Sequence, residues 1–589
     1  MPRGAGRIGW YLVWAVAFGS VGSSMYFVPG LLLQAAGSGA PAVVGILSIA
    51  FLGLVMKEAE LTRRHPAGGG AVSQVREVFG EGPGAVAGLL LLFDLSLTVA
   101  VSVVAGLQQL EGALRASGGL GGAMPWLAVG CVAAIVGMGV VGVRGVVSTG
   151  LGIGLFALGL NAVVLVSAAV RGGSQPEPVV LTSFSRASLG LGWLAFSGIE
   201  VCALLSPAMK EWGSTPTKAL SALGVAVLAT GPWLMMYTGG LPHALLRSAH
   251  THLLPELAYQ TGGFALSLTV AAAGAGLLLF AAYAALTASY QVQIVLVSLR
   301  ALPPESTRIS ARFQTPARAV VIAGVLAALL IVAAGANIRT LGLLYALSFS
   351  GSVGLGSAAL DVQRWQDGRR GVGLLAGVVI TGLLLAGEVG VALAEPRSAG
   401  VLLAMLAGGG GLAVVVRTGA WGRFVAMVPG LAPPTEVTHS DVPFLTLAQV
   451  RADPEGAGIL VASRGADPRV FREAVDRARQ RGALRVHVIY VDEVPGLLYP
   501  QKAEPTAEGL AVLASSCRSI RQLGAEPVPV WAMSHSAASS VAEAVVACRC
   551  DTVIIGATQR TLVWQALRGR FVQDLRKAVP TDVRITVVG

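Results

Sequence analysis

Twelve stretches of about twenty apolar residues follow one another along the chain, at roughly 8–33, 42–61, 84–110, 124–142, 150–170, 187–210, 219–241, 263–298, 319–336, 340–360, 371–394 and 398–418. A helix of that length crosses the hydrocarbon of a bilayer, and only helices and closed barrels can do so, because each unpaired backbone group there costs several kcal/mol. The pattern predicts an α-helical polytopic membrane protein with twelve transmembrane helices. Only 12% of the residues are charged and the mean hydropathy is +0.71, which excludes an ordinary soluble enzyme for the bulk of the chain. Glycine, at 77 of 589 residues, is about twice its usual share of roughly 7%. That suits helices meeting through small-residue faces.

The net charge of +11 matters through its placement. With the N-terminus inside, the cytoplasmic loops collect Arg63, Arg64, Arg76, Arg144, Lys210, Lys218, Arg300, Arg308, Arg364, Arg369 and Arg370, while the outer loops hold few basic residues. The positive-inside rule then sets both termini in the cytoplasm of a multi-pass protein of the cell membrane, and nucleic-acid binding is the poorer explanation of the charge. MPRGAGR leads straight into the first span, so no cleaved leader is expected.

Two of the spans carry interruptions. In AFGSVGSSMYFVPGLLL, residues 17–33, Gly19, Ser20, Gly22, Ser23, Ser24 and Pro29 crowd one helix. Five spans later LAFSGIEVCALLS, residues 194–206, has Gly198 and Glu200 inside an apolar run. Broken helices in corresponding positions of two halves point to the binding site of a secondary transporter. Unwinding is expected at Gly19–Ser24 and at Ser197–Glu200, the two breaks facing one another. The freed N–H groups of Gly22, Ser23 and Ser24 would receive a substrate anion; the bland alternative is a close-packing face.

Ionisable groups at membrane depth are costly and therefore suspects. Asp94 has Thr98 one turn on, and Ser197 precedes Glu200 by three residues, so each carboxylate has a hydroxyl beside it that helps to hold a cation or pass a proton. The alternative is a carboxylate that only ties off backbone N–H groups. Glu388 lies in a peripheral span, and Glu58 and Glu60, near the inner end of the second, are expected in water. Tyr26 and Tyr345 either close the cavity or pack.

After Arg423 the composition changes. Residues 424–456 read as a proline-bearing linker, and residues 457–589 alternate short apolar strands with amphipathic helices. That alternation predicts an α/β doubly wound parallel sheet of five strands, flavodoxin-like, its first and fourth strands adjacent. Gly556 follows a strand as a phosphate-binding turn requires, but Gln559 and Arg570 stand where phosphates need small residues. His535 and Arg464 read as solvated. The five cysteines, Cys131, Cys202, Cys517, Cys548 and Cys550, show neither zinc-ligand spacing nor a disulfide framework, so no metal is expected.

GSVGSSMYFVPG, HPAGGGAVSQVREVFG, GVRGVVSTG and AFSGIEVCALLSPAMKE resemble amino acid–polyamine–organocation (APC) superfamily permeases over about residues 8–418. The resemblance implies a LeuT-like 5+5 inverted repeat, with the backbone around Gly22, Ser23 and Ser24 receiving a substrate carboxylate and that around Phe196, Ser197 and Gly198 its amino group. FDLSLTVAVSVVAG, LTASYQVQIVLVSLRALPP and LLYALSFSGSVGLGSAALDVQRW look like KUP-type potassium uptake proteins, which implies potassium and proton roles for Asp94, Thr98, Ser197, Glu200, Tyr26 and Tyr345. Two positions depart, since Gly19 and Leu95 stand where that branch has an acid and a tyrosine. Residues 457–589 are similar to universal stress protein (USP) domains, whose nucleotide motif falls here on Gly556, Gln559, Gly569 and Arg570, with Arg464 replacing an acid.

Together these features predict a secondary active transporter rather than an enzyme, a permease coupling amino acid uptake to protons or cations, with a cytoplasmic domain that regulates or docks and binds ATP weakly at best. A potassium/proton symporter is the alternative, and a transporter-like membrane sensor a further one. No cofactor is expected, and a nucleotide on the C-terminal domain is left open. The partners are the bilayer and a small molecule or ion, with a homodimer through the cytoplasmic domain left open.

Overall fold

The computed structural model describes residues 8–114, 121–143, 145–171, 185–248, 250–310, 313, 315–427, 443–447, 449–451, 456–465, 467–493, 505–534, 536–556 and 571–588. The first apolar stretch is two helices, α1 (Trp10–Ser23) and α2 (Val28–Ala36), joined by a 3-10 turn at Ser24–Tyr26. Then follow α3 (Ala40–Arg64), α4 (Gly70–Phe79), α5 (Glu81–Leu114), α6 (Met124–Val141) and α7 (Val146–Arg171). The sixth stretch is again in pieces, α8 (Ser188–Trp193) and α9 (Val201–Leu204), with 3-10 turns at Leu194–Phe196 and Ser206–Ala208. Next come α10 (Thr215–Gly239), α11 (His243–Ser248), α12 (Leu253–Ser298), α13 (Ala317–Ala333), α14 (Ile338–Gln366), α15 (Val372–Ala394), α16 (Pro396–Arg417) and α17 (Ala420–Met427).

Nine helical segments among the described residues are long and apolar enough to cross a membrane. Of the twelve sequence stretches, the two broken ones and the 17-residue α13 fall outside that set. α12 is two helices meeting at Gly263, whose φ of 76° no helix accommodates, so the eighth stretch, 263–298, starts at this kink. α5, α12 and α14 pack together as the buried centre, and α16 is almost wholly exposed, as befits a lipid-facing helix.

The C-terminal part is a six-stranded parallel sheet in the order β1-β4-β3-β2-β5-β6, with β1 Leu445–Thr446, β2 Gly456–Ala462, β3 Arg485–Glu493, β4 Glu526–Ser534, β5 Thr552–Gly556 and β6 Arg584–Val588. The first and fourth expected strands, β2 and β5, are neighbours, Leu460 opposite Val553. The sheet gains β1 from the stretch that the sequence offered as linker, Leu445 pairing with Val530. α18 (Pro468–Gln480) and α19 (Ala507–Gln522) bury Phe471, Val475, Leu513 and Ile520 on one face; α20 (Ala537–Cys548) and α21 (Phe571–Ala578) bury Val541, Val545 and Leu575 on the other. Helices on both faces make the sheet doubly wound. Asp467, Thr506 and Ser536 cap α18, α19 and α20 by accepting backbone N–H bonds.

Candidate functional site

The two broken segments lie against each other and run in opposite directions. Ile8 N–H donates to Ala208 O at 2.9 Å and Lys210 N–H to Ile8 O at 3.0 Å, which ties the start of one to the end of the other. At the breaks, Ser24 Oγ stands 3.3 Å from Ser197 Oγ. The second break falls where the sequence put it. Ser197 is extended, with ψ 152°, and Gly198 has φ 93°. A Cβ on Gly198 would lie 2.6 Å from Ser20 Cβ and 3.0 Å from Ser20 C, so both the dihedral and the space demand glycine. Gly198→Ala is expected to lower stability by roughly 2–4 kcal/mol, the left-handed strain adding to the clash. Thermal unfolding in detergent checks this against Gly224→Ala, where a Cβ meets nothing closer than 3.7 Å and the melting point should hold.

The first break is displaced from its expected place. α1 runs unbroken through Gly19 and Gly22, and the chain unwinds only at Ser24–Phe27. Gly19 is needed for the Phe280 ring to close on α1, and Gly22 for the ring of Phe18, so close packing accounts for both. The expected anion-binding N–H groups are also overturned. Gly22 and Ser23 lie in the helical ladder, and Ser24 N–H donates to Gly22 O and Val21 O. What α1 turns toward the break is its C-terminal end, which carries partial negative charge and attracts cations.

Asp94 of α5 is wholly buried and Glu200 is 2% exposed. Both lie beside the breaks, and the two carboxyl groups are close enough for their charges to interact. Glu200 Oε2 accepts the Gly198 N–H at 3.0 Å. Among the described residues, neither Asp94 oxygen nor Glu200 Oε1 meets a donor. Buried acceptors without donors are costly, and a proton or a cation is what satisfies a set made only of oxygens. Tyr345 of α14 is buried beside Ser197 and Thr98 and lies close to both carboxylates. Thr98 Oγ1 also donates to Asp94 O at 2.9 Å. Asp94, Thr98, Ser197, Glu200, Tyr345 and Ser24 thus come together.

Tyr26, Phe196 and Glu388 take other positions. Tyr26 Oη donates to Asn161 Oδ1 of α7 at 3.2 Å, making a strut from the first break. Phe196 stacks on Phe51 with ring centroids 4.7 Å apart. Beside these residues a narrow cleft is lined by Ser24, Phe196 and the apolar Val44, Val227, Leu234 and Met235. Glu388 is half-buried against Gly351 of α14.

Glu58 corrects the sequence expectation. It is 5% exposed, not solvated; its Oε2 has no partner among the described residues, and it lies within charge range of Glu200 and near Cys202. Thr62 and His65 continue its face of α3, both buried, with His65 Nε2 2.9 Å from Gln74 Oε1. Next to it Lys57 Nζ meets Asp361 Oδ2 at 2.7 Å, Gly377 O at 3.0 Å and Thr381 Oγ1 at 3.1 Å, joining α3 to α14 and α15. Glu60 is held by Arg64 and Arg364 at the same end. Sequence reasoning missed the Lys57–Asp361 pair because its members are 304 residues apart.

A sequence model of the amino acid permease family matches residues 8–416. The chain belongs to that family. Amino acid permease family membership points to a membrane transporter, in agreement with the apolar helices. A stretch of 76 residues is 42% identical to "Potassium transporter KimA" of Bacillus subtilis (strain 168), covering 13% of this chain and 12% of that protein, so the chain matches only a small part of that relative's length. Among solved structures, the universal stress protein from Archaeoglobus fulgidus aligns over 22% of this permease family member and 97% of its own chain, at 21% identity and a TM-score of 0.19. In the sheet, Gly556 ends β5, while Gln559, Gly569, Arg570 and His535 lie outside the described residues.

Proposed function

We propose that the protein is a secondary active transporter that moves a small monovalent cation, potassium by the name of its partial relative, together with protons. One observation carries this: the fully buried oxygen cluster of Asp94, Glu200, Ser197, Thr98 and Tyr345, in which three carboxylate oxygens lack donors. The C-terminal end of α1 adds to its negative potential. In this scheme the cation binds between the breaks while Glu200 exchanges a proton, and Glu58 extends the carboxylate path along α3 toward the cytoplasm. The scheme rests on a LeuT-like arrangement of twelve spans in two inverted halves, with both termini cytoplasmic in a multi-pass protein of the cell membrane. Residues 1–423 form the transporter, and 457–589, joined in the sheet by β1 from the 424–456 connection, a universal stress protein-like domain that regulates it.

Amino acid uptake is the second reading, favoured by the match of residues 8–416 to the amino acid permease family. Counterflow in proteoliposomes separates the two. Labelled rubidium should exchange into vesicles preloaded with potassium, and labelled amino acids should not exchange into vesicles loaded with an amino acid mixture. The reverse result makes the protein an amino acid carrier.

For the C-terminal domain we expect weak nucleotide binding, because Gln559 and Arg570 stand where the nucleotide motif has small residues. Calorimetry on the full chain should give no micromolar ATP affinity. A micromolar dissociation constant would show that these side chains leave the phosphate end open.

A further inference from the structure

In the α/β domain the structure gathers three groups that the sequence keeps apart. His487 sits on β3 between Leu460 of β2 and Val528 of β4. Val486, Val488 and Tyr490 fill the core under α18 and α19, so the alternation of the strand turns His487 to the opposite layer, where α20 packs. Cys548 is the last residue of α20. Arg549 then takes a left-handed conformation, φ 54° and ψ 42°, and Cys550 N–H closes the helix end on Val545 O at 2.9 Å. This turn brings Cys550 back beside Cys548, and Asp551 N–H then joins Gly458 O just before β5.

One imidazole nitrogen and two sulfurs, all from buried side chains, lie within 4.8 Å of one another. We propose that His487, Cys548 and Cys550 form a zinc site that pins the C-terminal end of α20 to β3. Ligands bound to one Zn²⁺ at about 2.0–2.3 Å stand roughly 3.5–4 Å apart, so the cluster needs only a small closure. Charge selects the metal within the thiophilic class. Two thiolates and a neutral imidazole leave Zn²⁺ with no net charge, whereas Cu⁺ would leave a net negative charge among Leu460, Ile489 and Val553. Binding releases the two thiol protons to solvent and involves no redox change. The fourth zinc position falls to water.

The test uses the full chain, purified in detergent under reducing conditions. Elemental analysis after zinc loading and dialysis should find about one zinc per chain, and cobalt loading should give the intense thiolate-to-cobalt absorption of a tetrahedral site. Cys548→Ser with Cys550→Ser, and separately His487→Gln, should lose both signals. Cys131→Ser, Cys202→Ser and Cys517→Ser together should keep them. Should the ligand variants fail to fold, the wild-type chain decides alone, since zinc should raise its melting temperature and a chelator reverse the rise. Absence of the cobalt–thiolate band in wild type, its persistence without Cys548 and Cys550, or an unmoved wild-type melting temperature overturns the site.

Discussion

Glu200→Gln should leave the protein folded and able to exchange rubidium, yet unable to use a proton gradient. One pH unit across the membrane is worth about 1.4 kcal/mol per coupled proton, roughly tenfold in steady-state accumulation, and that factor should vanish in the variant. The reason lies in where the carboxyl sits. Glu200 is buried at a break, holds the Gly198 N–H with one oxygen and leaves the other without a donor beside Asp94. Gln retains the oxygen that accepts from Gly198 but cannot take up or release a proton. A Glu200 serving only to tie off backbone would therefore be replaced well by Gln. Accumulation measured at equal and unequal pH in both proteins separates the roles, and equal stimulation would leave Glu200 a structural acceptor.

The second large effect concerns stability at the other end of α3. Lys57→Met should cost about 3–5 kcal/mol, because Asp361 would be left charged and buried. The pair has side chains only 3% and 7% exposed, and Lys57 also satisfies Gly377 O and Thr381 Oγ1. Lys57→Met combined with Asp361→Leu should regain much of the loss, since removing both charges also removes the burden of burying them. Thermal unfolding of the three variants in detergent measures this, and single variants that melt with wild type would mean that water reaches the pair. The network has a functional side. α14 carries Asp361 at one end and Tyr345 about 24 Å away at 1.5 Å per residue, so the ion pair anchors the helix that presents the phenol to the carboxylates.

The position of the second break was legible because glycine and a carboxylate interrupt an apolar run, and Gly198 does carry the positive φ. The first was read several residues early. Glycine weakens a helix in water, but in a packed bundle Gly19 and Gly22 are what lets Phe280 and Phe18 approach, and the helix persists. Glu58 was misread for a related reason: nearness to the inner end of the helix suggested water, while burial is decided by the broken segment packing across it. The sheet order of β2 and β5 followed from strand–helix alternation, a local signal. His487 with Cys548 and Cys550 did not, because strands that meet through topology leave no fixed spacing in sequence.

The most direct test places a pH-sensitive dye inside proteoliposomes and adds rubidium outside, with membrane voltage clamped by an ionophore for another ion. Rubidium entry should acidify the lumen in wild type, and Glu200→Gln should abolish the acidification. Rubidium entry without any proton movement, or acidification driven by amino acids and not by rubidium, would contradict the proton-coupled cation transport proposed for this oxygen cluster.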